Sequence, residues 1–344
     1  MRTAFTGLKA TMMLAALACV ASVVVEAQTP GSDARIVEQQ LKAVGGLYTD
    51  ARAQDELKRL LEHLSPQSLL PIQLLRHPSA NAFVLPTDKI YLHTGLLLRV
   101  ANETELAALV AHELAHVSLG HLDNLDPSAD LLDRRSVEAE VAADARAIEI
   151  MRRAGYCPRS ASTFFERLIR ERQATNAPTR FVRTHPNLEA RVSHWRQADC
   201  AEGHSRQPLA TSLDWAMSAR LDALSMLLLQ QRMDTVAFLS TQTFLLDDLG
   251  ASGAYFWGES LRVRDAPGDG RGASEFLLLA STSDTHADIA MFRLAAIAVD
   301  EGQWRAARDW LLRVDQAALP DIVATYFMPV LTQVEATLAK PGFD

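Results

Sequence analysis

The segment Val110-Ala111-His112-Glu113-Leu114-Ala115-His116 restricts the fold more than any other part of this sequence. Two imidazoles four residues apart lie on one face of a helix, where both reach one metal ion and Glu113, one residue along, reaches a water beside it. The flanks agree with a helix. Asn102 with Glu105 three residues later is a capping-box signature, and Gly120 is a stop, so a helix is predicted over Thr104 to Leu119. A second helix, from about Arg134 to Ala154 and ended by Gly155, carries Glu140 and Asp144 on one face. If that helix packs against the first, His112, His116 and Glu140 become the ligands of one zinc ion per chain, with a coordination position left for water. Asp144, a turn beyond Glu140, is placed to accept a hydrogen bond from the free ring N–H of a ligand His and so fix its tautomer. Glu138 is two residues from Glu140 and points to a different side of the helix.

Composition sets the frame for this site. With 48% hydrophobic and 22% charged residues the chain has ample material for a buried core, and 344 residues suggest two domains at roughly 150 residues each. A net charge of −8, from 34 Lys+Arg against 42 Asp+Glu, excludes a basic nucleic-acid-binding surface as the main theme. Aromatics are only 6% while Ala and Leu abound, which favours helix over strand. The 3 cysteines include no C-x-x-C pair, so a metal here needs His and carboxylate ligands. Cys157 and Cys200 read equally as a disulfide or as two separate buried thiols.

Arg2 and Lys9, the apolar run Met12 to Val25 and the small residues before Gln28 read as a secretory signal peptide over 1–27. The run is shorter than the ~20 residues of a membrane span. Cys19, within Leu17-Ala18-Cys19, is similar to a lipobox and keeps a lipid-anchored form as the alternative. No later stretch reaches ~18 apolar residues without charge, so the mature chain is expected to have no transmembrane span and to be soluble in the periplasm.

Ala34 to Leu47 and Ala51 to Leu64 have helical periodicity, and Ile72 to Arg76, Asn81 to Leu85 and Lys89 to His93 read as short strands, the last two joined by a Pro86-Thr87-Asp88 turn. Further helices are predicted over Ser160 to Arg172 and Asn187 to Gln197. Asn81-Ala82-Phe83 could bind an extended peptide by strand addition, or be an ordinary core strand. Beyond Gly203 amphipathic helices take over. The spacing of Leu294, Ala295, Ala298, Gly302, Trp304, Ala307 and Leu311 fits a tetratricopeptide helix pair, the alternative being an irregular bundle. The domains expected are a metalloprotease domain over 28–205 and a helical domain over 206–344. His93, His121 and His194 have no partner at ligand spacing and are expected to be structural or solvated.

The combination of His112-Glu113-Leu114-Ala115-His116, Glu140-x-x-Ala143-Asp144, Asn81-Ala82-Phe83 with Thr94-Gly95-Leu96-Leu97, and Thr184-His185-Pro186 with Arg191 resembles the zinc metallopeptidases that include the CAAX prenyl proteases, HtpX and the periplasmic β-barrel assembly-enhancing proteases. The resemblance covers roughly residues 35 to 200 and is nearer to the soluble periplasmic branch than to the integral-membrane ones. It implies a mainly α (α+β) fold, with a gluzincin-type metalloprotease domain containing a small sheet and an α-helical tetratricopeptide-like domain after it. It also implies that His185 and Arg191 line the active site, stabilising an oxyanion, with His185 as a further option for a switch over the metal.

The function expected is zinc-dependent endopeptidase cleavage of misfolded or misassembled cell-envelope proteins. Zinc lowers the pKa of water toward ~7, and Glu113 takes its proton as general base. Protein or peptide substrates, including outer-membrane proteins or their assembly machinery, are the expected partners. A thermolysin- or aminopeptidase-type zinc peptidase is one alternative. The other is an envelope chaperone or scaffold with a structural zinc, a role that would not need Glu113.

Overall fold

The computed structural model describes residues 46–68, 70–85, 89–121, 136–175, 185, 187–200 and 213–340. The leader, most of the helix expected from Ala34, the Pro86–Asp88 turn, Thr184, Pro186 and the domain boundary at 205/206 lie outside these residues. The fold is mainly α with a small three-stranded sheet. It divides into two compact units, one within 27–230 and 238–248, the other within 231–237 and 249–344.

In the first unit, helix α1 (Ala51–Leu64) starts at Asp50, whose side chain accepts from the Ala53 amide, and buries Ala53, Leu57, Leu60, Leu61 and Leu64 at helical spacing. Strands β1 (Ile72–Leu75), β2 (Ala82–Leu85) and β3 (Lys89–His93) follow in the order β1-β3-β2, with β1 parallel and β2 antiparallel to β3. Alternation along the strands separates two apolar faces. Ile72, Leu74, Ala82, Val84, Ile90 and Leu92 join the main core, whereas Leu75, Phe83 and Tyr91 form a smaller cluster.

Thr94-Gly95-Leu96-Leu97 is a single helical turn, α2. The turn before β2 crosses it so closely that a Cβ on Gly95 would stand 2.0 Å from the Pro78 carbonyl oxygen. Arg99, buried, holds this crossing by donating to Gly95 O at 2.8 Å while a bidentate pair with Glu171 neutralises it.

Helix α3 (Glu103–Ser118) begins at Asn102, whose side chain accepts from the Glu105 amide at 3.1 Å. The return contact of the predicted capping box is displaced: the Glu105 carboxylate accepts from Ala101 N at 2.7 Å and also binds Arg167 at 2.9 Å. Helix α4 (Val137–Arg153), capped by Ser136, packs along α3. Helices α5 (Ser162–Thr175) and α6 (Leu188–Gln197) pack on each other. Cys157 and Cys200 form a disulfide with Cα atoms 4.7 Å apart, which closes the segment containing both. Helix α7 (Met217–Leu229) belongs to this unit as well. Its fully buried Arg220 donates to Leu97 O at the end of α2 and to Val100 O in the link to α3.

Helices α8 (Met233–Leu239) and α9 (Thr243–Arg264) contain the remaining points at which the chain passes between units. In the second unit, α10 (Asp269–Ala280), α11 (Ala287–Asp300), α12 (Trp304–Leu311) and α13 (Asp321–Leu338) pack in sequence. Ala295, Ala298, Ala307, Leu311, Phe327 and Val330 share one core. Nearby, the buried Glu259 carboxylate accepts from Arg262 at 2.7 and 2.8 Å and lies 3.2 Å from Arg293. Burial pushes its pKa up, but the two guanidiniums overcome that and hold it at about 2.

Two expectations follow from this packing. Gly95→Ala should destabilise the fold by roughly 2–3 kcal/mol, because the obstacle is backbone and not a movable side chain; urea unfolding of both proteins measures it. Glu259 has a folded-state pKa below its ordinary value of 4.5. Its stabilisation is therefore complete above that pH and is lost as pH falls toward about 2, up to ~3 kcal/mol in all. In Glu259→Gln, unfolding free energy should vary less with pH across this window than in wild type.

Candidate metal centre

α3 and α4 build the centre from residues one helical turn apart. His112 and His116 point from α3 with their Nε2 atoms 3.0 Å from each other. From α4, Glu140 presents Oε2 at 3.3 Å from His112 Nε2 and Oε1 at 3.3 Å from His116 Nε2. Candidate ligand atoms of His112, His116, Glu140 and His185 all lie within 4.8 Å of one another, and all four residues are buried. Neither Glu140 oxygen accepts a hydrogen bond of ordinary geometry, although both are shielded from solvent. A buried carboxylate facing two imidazole nitrogens in this way has the donor chemistry of a divalent metal site. The residues present fit such an ion.

The atoms behind the donors are engaged. Asp144, one turn after Glu140, places Oδ1 2.9 Å from His112 Nδ1. Arg191 on α6 donates to the same carboxylate through Nε at 2.8 Å and Nη2 at 2.6 Å, and its guanidinium stacks 4.6 Å from the Phe165 ring. Burial raises the Asp144 pKa, but the Arg191 charge and the hydrogen bonds from His112 and Arg191 win and hold it well below the usual carboxylate range. Asp144 is thus ionised, the form that accepts from an imidazole N–H. His116 Nδ1 lies 2.9 Å from Nδ1 of His121, a contact that ligand spacing in the sequence does not reveal.

Glu113 is as buried as the two histidines that flank it. Its Oε1 lies 3.4 Å from His185 Nε2. Burial outweighs the nearby Glu140 and Glu113 carboxylates and pushes His185 toward its neutral form. The structure therefore places His185 among the donors and beside Glu113. Arg191 differs from its expected place. Nε and Nη2 are committed to Asp144, and Nη1 is 3.7 Å from Glu140, so the guanidinium stands behind the donor atoms. The cause is the helical period, which carries Asp144 one turn past Glu140 to the place where α6 meets α4. Glu138 is exposed. Asn81, Ala82 and Phe83 are buried; β2, at one end of the strand order, packs against α3, and Phe83 stacks on Tyr91.

Two His and one Glu with a further Glu on the first His helix is the arrangement of a metallopeptidase. Residues 49–126 and 125–199 match Peptidase family M48, in agreement with the zinc metallopeptidases that the sequence motifs resemble. The β-barrel assembly-enhancing protease of Escherichia coli K12 is 26% identical over 176 residues, which cover 40% of this chain and 36% of that protein. Mitochondrial metalloendopeptidase OMA1 of Schizosaccharomyces pombe is 28% identical over 148 residues, covering 35% and 44%. The bovine mitochondrial metalloendopeptidase OMA1 is 39% identical over 62 residues, covering 18% and 12%. The chain spans about a third of the length of the β-barrel assembly-enhancing proteases it matches. Among the described residues no helix is long and apolar enough to cross a membrane.

Asp144→Asn removes the charge that fixes His112 while keeping the side chain's shape. Zinc affinity, measured by competition with a chromophoric chelator, should fall about 10–100-fold.

Proposed function

We propose that this chain is a zinc-dependent endopeptidase acting on misfolded or misassembled proteins of the cell envelope. The observation that carries the reading is the position of Glu113, buried one residue from His112 and beside His185, at a centre where His112, His116 and Glu140 converge. A site that only braced a fold would not need that carboxylate.

His112, His116 and Glu140 would hold zinc, whose donor preferences this set matches. Bound there, zinc supplies Lewis acidity and a water of lowered pKa. Glu113 takes a proton from the attacking water at a carboxylate oxygen and later passes it to the leaving amine nitrogen. His185, kept neutral by burial, donates toward the oxyanion that develops on the scissile carbonyl. Arg191 acts through Asp144, keeping it ionised so that His112 presents Nε2 inward. β2 offers its outer edge to an extended substrate strand, with Asn81, Ala82 and Phe83 at its start.

The leader-like residues 1–27 and the similarity to β-barrel assembly-enhancing proteases support export to the periplasm, with outer-membrane proteins or their assembly machinery as clients. The second unit serves in this reading as a tetratricopeptide-like surface that delivers those clients.

Glu113→Gln should retain zinc and lose cleavage of an unfolded protein substrate by about 100-fold or more. Wild-type turnover by a zinc-loaded Glu113→Gln protein would refute the mechanism.

A further inference from the structure

We propose that His121 is a positioning residue of the metal centre, whose Nδ1 accepts a hydrogen bond from the Nδ1–H of His116 and so aims His116 Nε2 at the metal. The proposal rests on the metal-binding reading above. It starts from an obligation of His116. An imidazole that ligates through Nε2 keeps its proton on Nδ1, and His116 is fully buried, so that proton needs an acceptor within the protein. Nδ1 of His121 lies 2.9 Å away, with the two rings at 62° and their centroids 5.1 Å apart. On its other side, His116 Nε2 already faces His112 and Glu140. His121 must then be the tautomer that carries its proton on Nε2 and its lone pair on Nδ1.

The end of α3 accounts for this placement. His121 N donates to His116 O at 3.0 Å and Gly120 N donates to Val117 O at 3.0 Å, while Gly120 is left-handed at φ 68°. These are the paired bonds of a Schellman motif, in which the residue after the left-handed glycine is pinned beside the residue five before it. That pair is usually an apolar contact; here it is His121 against His116. The motif therefore delivers to the second metal-facing histidine the kind of outer partner that Asp144 delivers to the first. The partners differ in charge, since Asp144 is a carboxylate paired with Arg191 and His121 is a neutral acceptor. Only backbone atoms make the two motif bonds, so the side chain at 121 can be changed without removing them.

The test compares wild type, His121→Ala and His121→Asn by chelator competition with zinc and by the visible absorption of the cobalt-substituted proteins. Alanine is expected to weaken zinc binding about 10–100-fold and to shift the cobalt bands. Asparagine carries an acceptor oxygen at the same δ position and should restore both affinity and spectrum. Wild-type zinc affinity and an unchanged cobalt spectrum in His121→Ala would overturn the proposal, as would an asparagine variant no better than alanine. If wild type binds zinc but cleaves no protein, the peptidase reading falls while the effect of His121 on zinc still decides this proposal. If wild type binds no zinc, both fall.

Discussion

His112, Glu113, His116, Glu140 and His185 meet almost out of contact with water, and the pairing of Asp144 with Arg191 is what makes that burial sustainable. A lone buried carboxylate or guanidinium would carry a desolvation penalty of several kcal/mol. Joined in a bidentate contact, each supplies the other's counter-charge. The pair also has mechanical consequences, since it ties α4 to α6, holds the outer face of His112, and lays the guanidinium over Phe165 on α5. Three helices other than α3 thus meet at one ion pair.

The same device recurs around the N-terminal half of α3. Arg99 bridges Gly95 O to Glu171, Arg167 binds Glu105 and the Arg99 carbonyl, and Arg220 reaches Leu97 O and Val100 O. Buried arginines satisfy backbone carbonyls where the sheet gives way to the metal-binding helix. Apolar packing could fill this space, but it would leave those carbonyls without donors. The support for α3 is consequently polar at its start and apolar along its length, where Leu106, Leu109, Val110 and Leu114 join the core.

What was legible in the sequence is what helical and strand periods encode. His112, Glu113 and His116 lie on one turn, Glu140 and Asp144 on another, and the short runs containing Ile72, Ala82 and Ile90 become the three strands. Gly95 stood out only within a motif; its reason, the Pro78 carbonyl, comes from a chain crossing that no local pattern states. His121 is not marked by ligand spacing, which picks out groups that reach a metal and not those that reach a ligand from behind. Yet Gly120-His121 after His116 carries the signal, once the helix ending is read as a motif that fixes two side chains together. The target of Arg191 was hidden for a different reason. Asp144 is 47 residues away, and only the packing of α6 on α4 brings them together. Met217–Leu229 is apolar on more than one side, so its pattern does not say which unit it joins.

The disulfide between Cys157 and Cys200 has a bearing on the site. The segment it closes includes α5, His185 and α6 with Arg191. One histidine of the centre and the guanidinium behind it are therefore carried on a covalent ring, while His112, His116 and Glu140 belong to the open chain before it. In an oxidising compartment that ring has far fewer unfolded arrangements to search, a gain of roughly 4 kcal/mol for a closed loop of this length by chain entropy. In a reducing one the same residues must hold their half of the site by packing and the Asp144–Arg191 pair. The chain thus builds its centre from two topologically different parts, and only one of them is sensitive to the redox state of its surroundings.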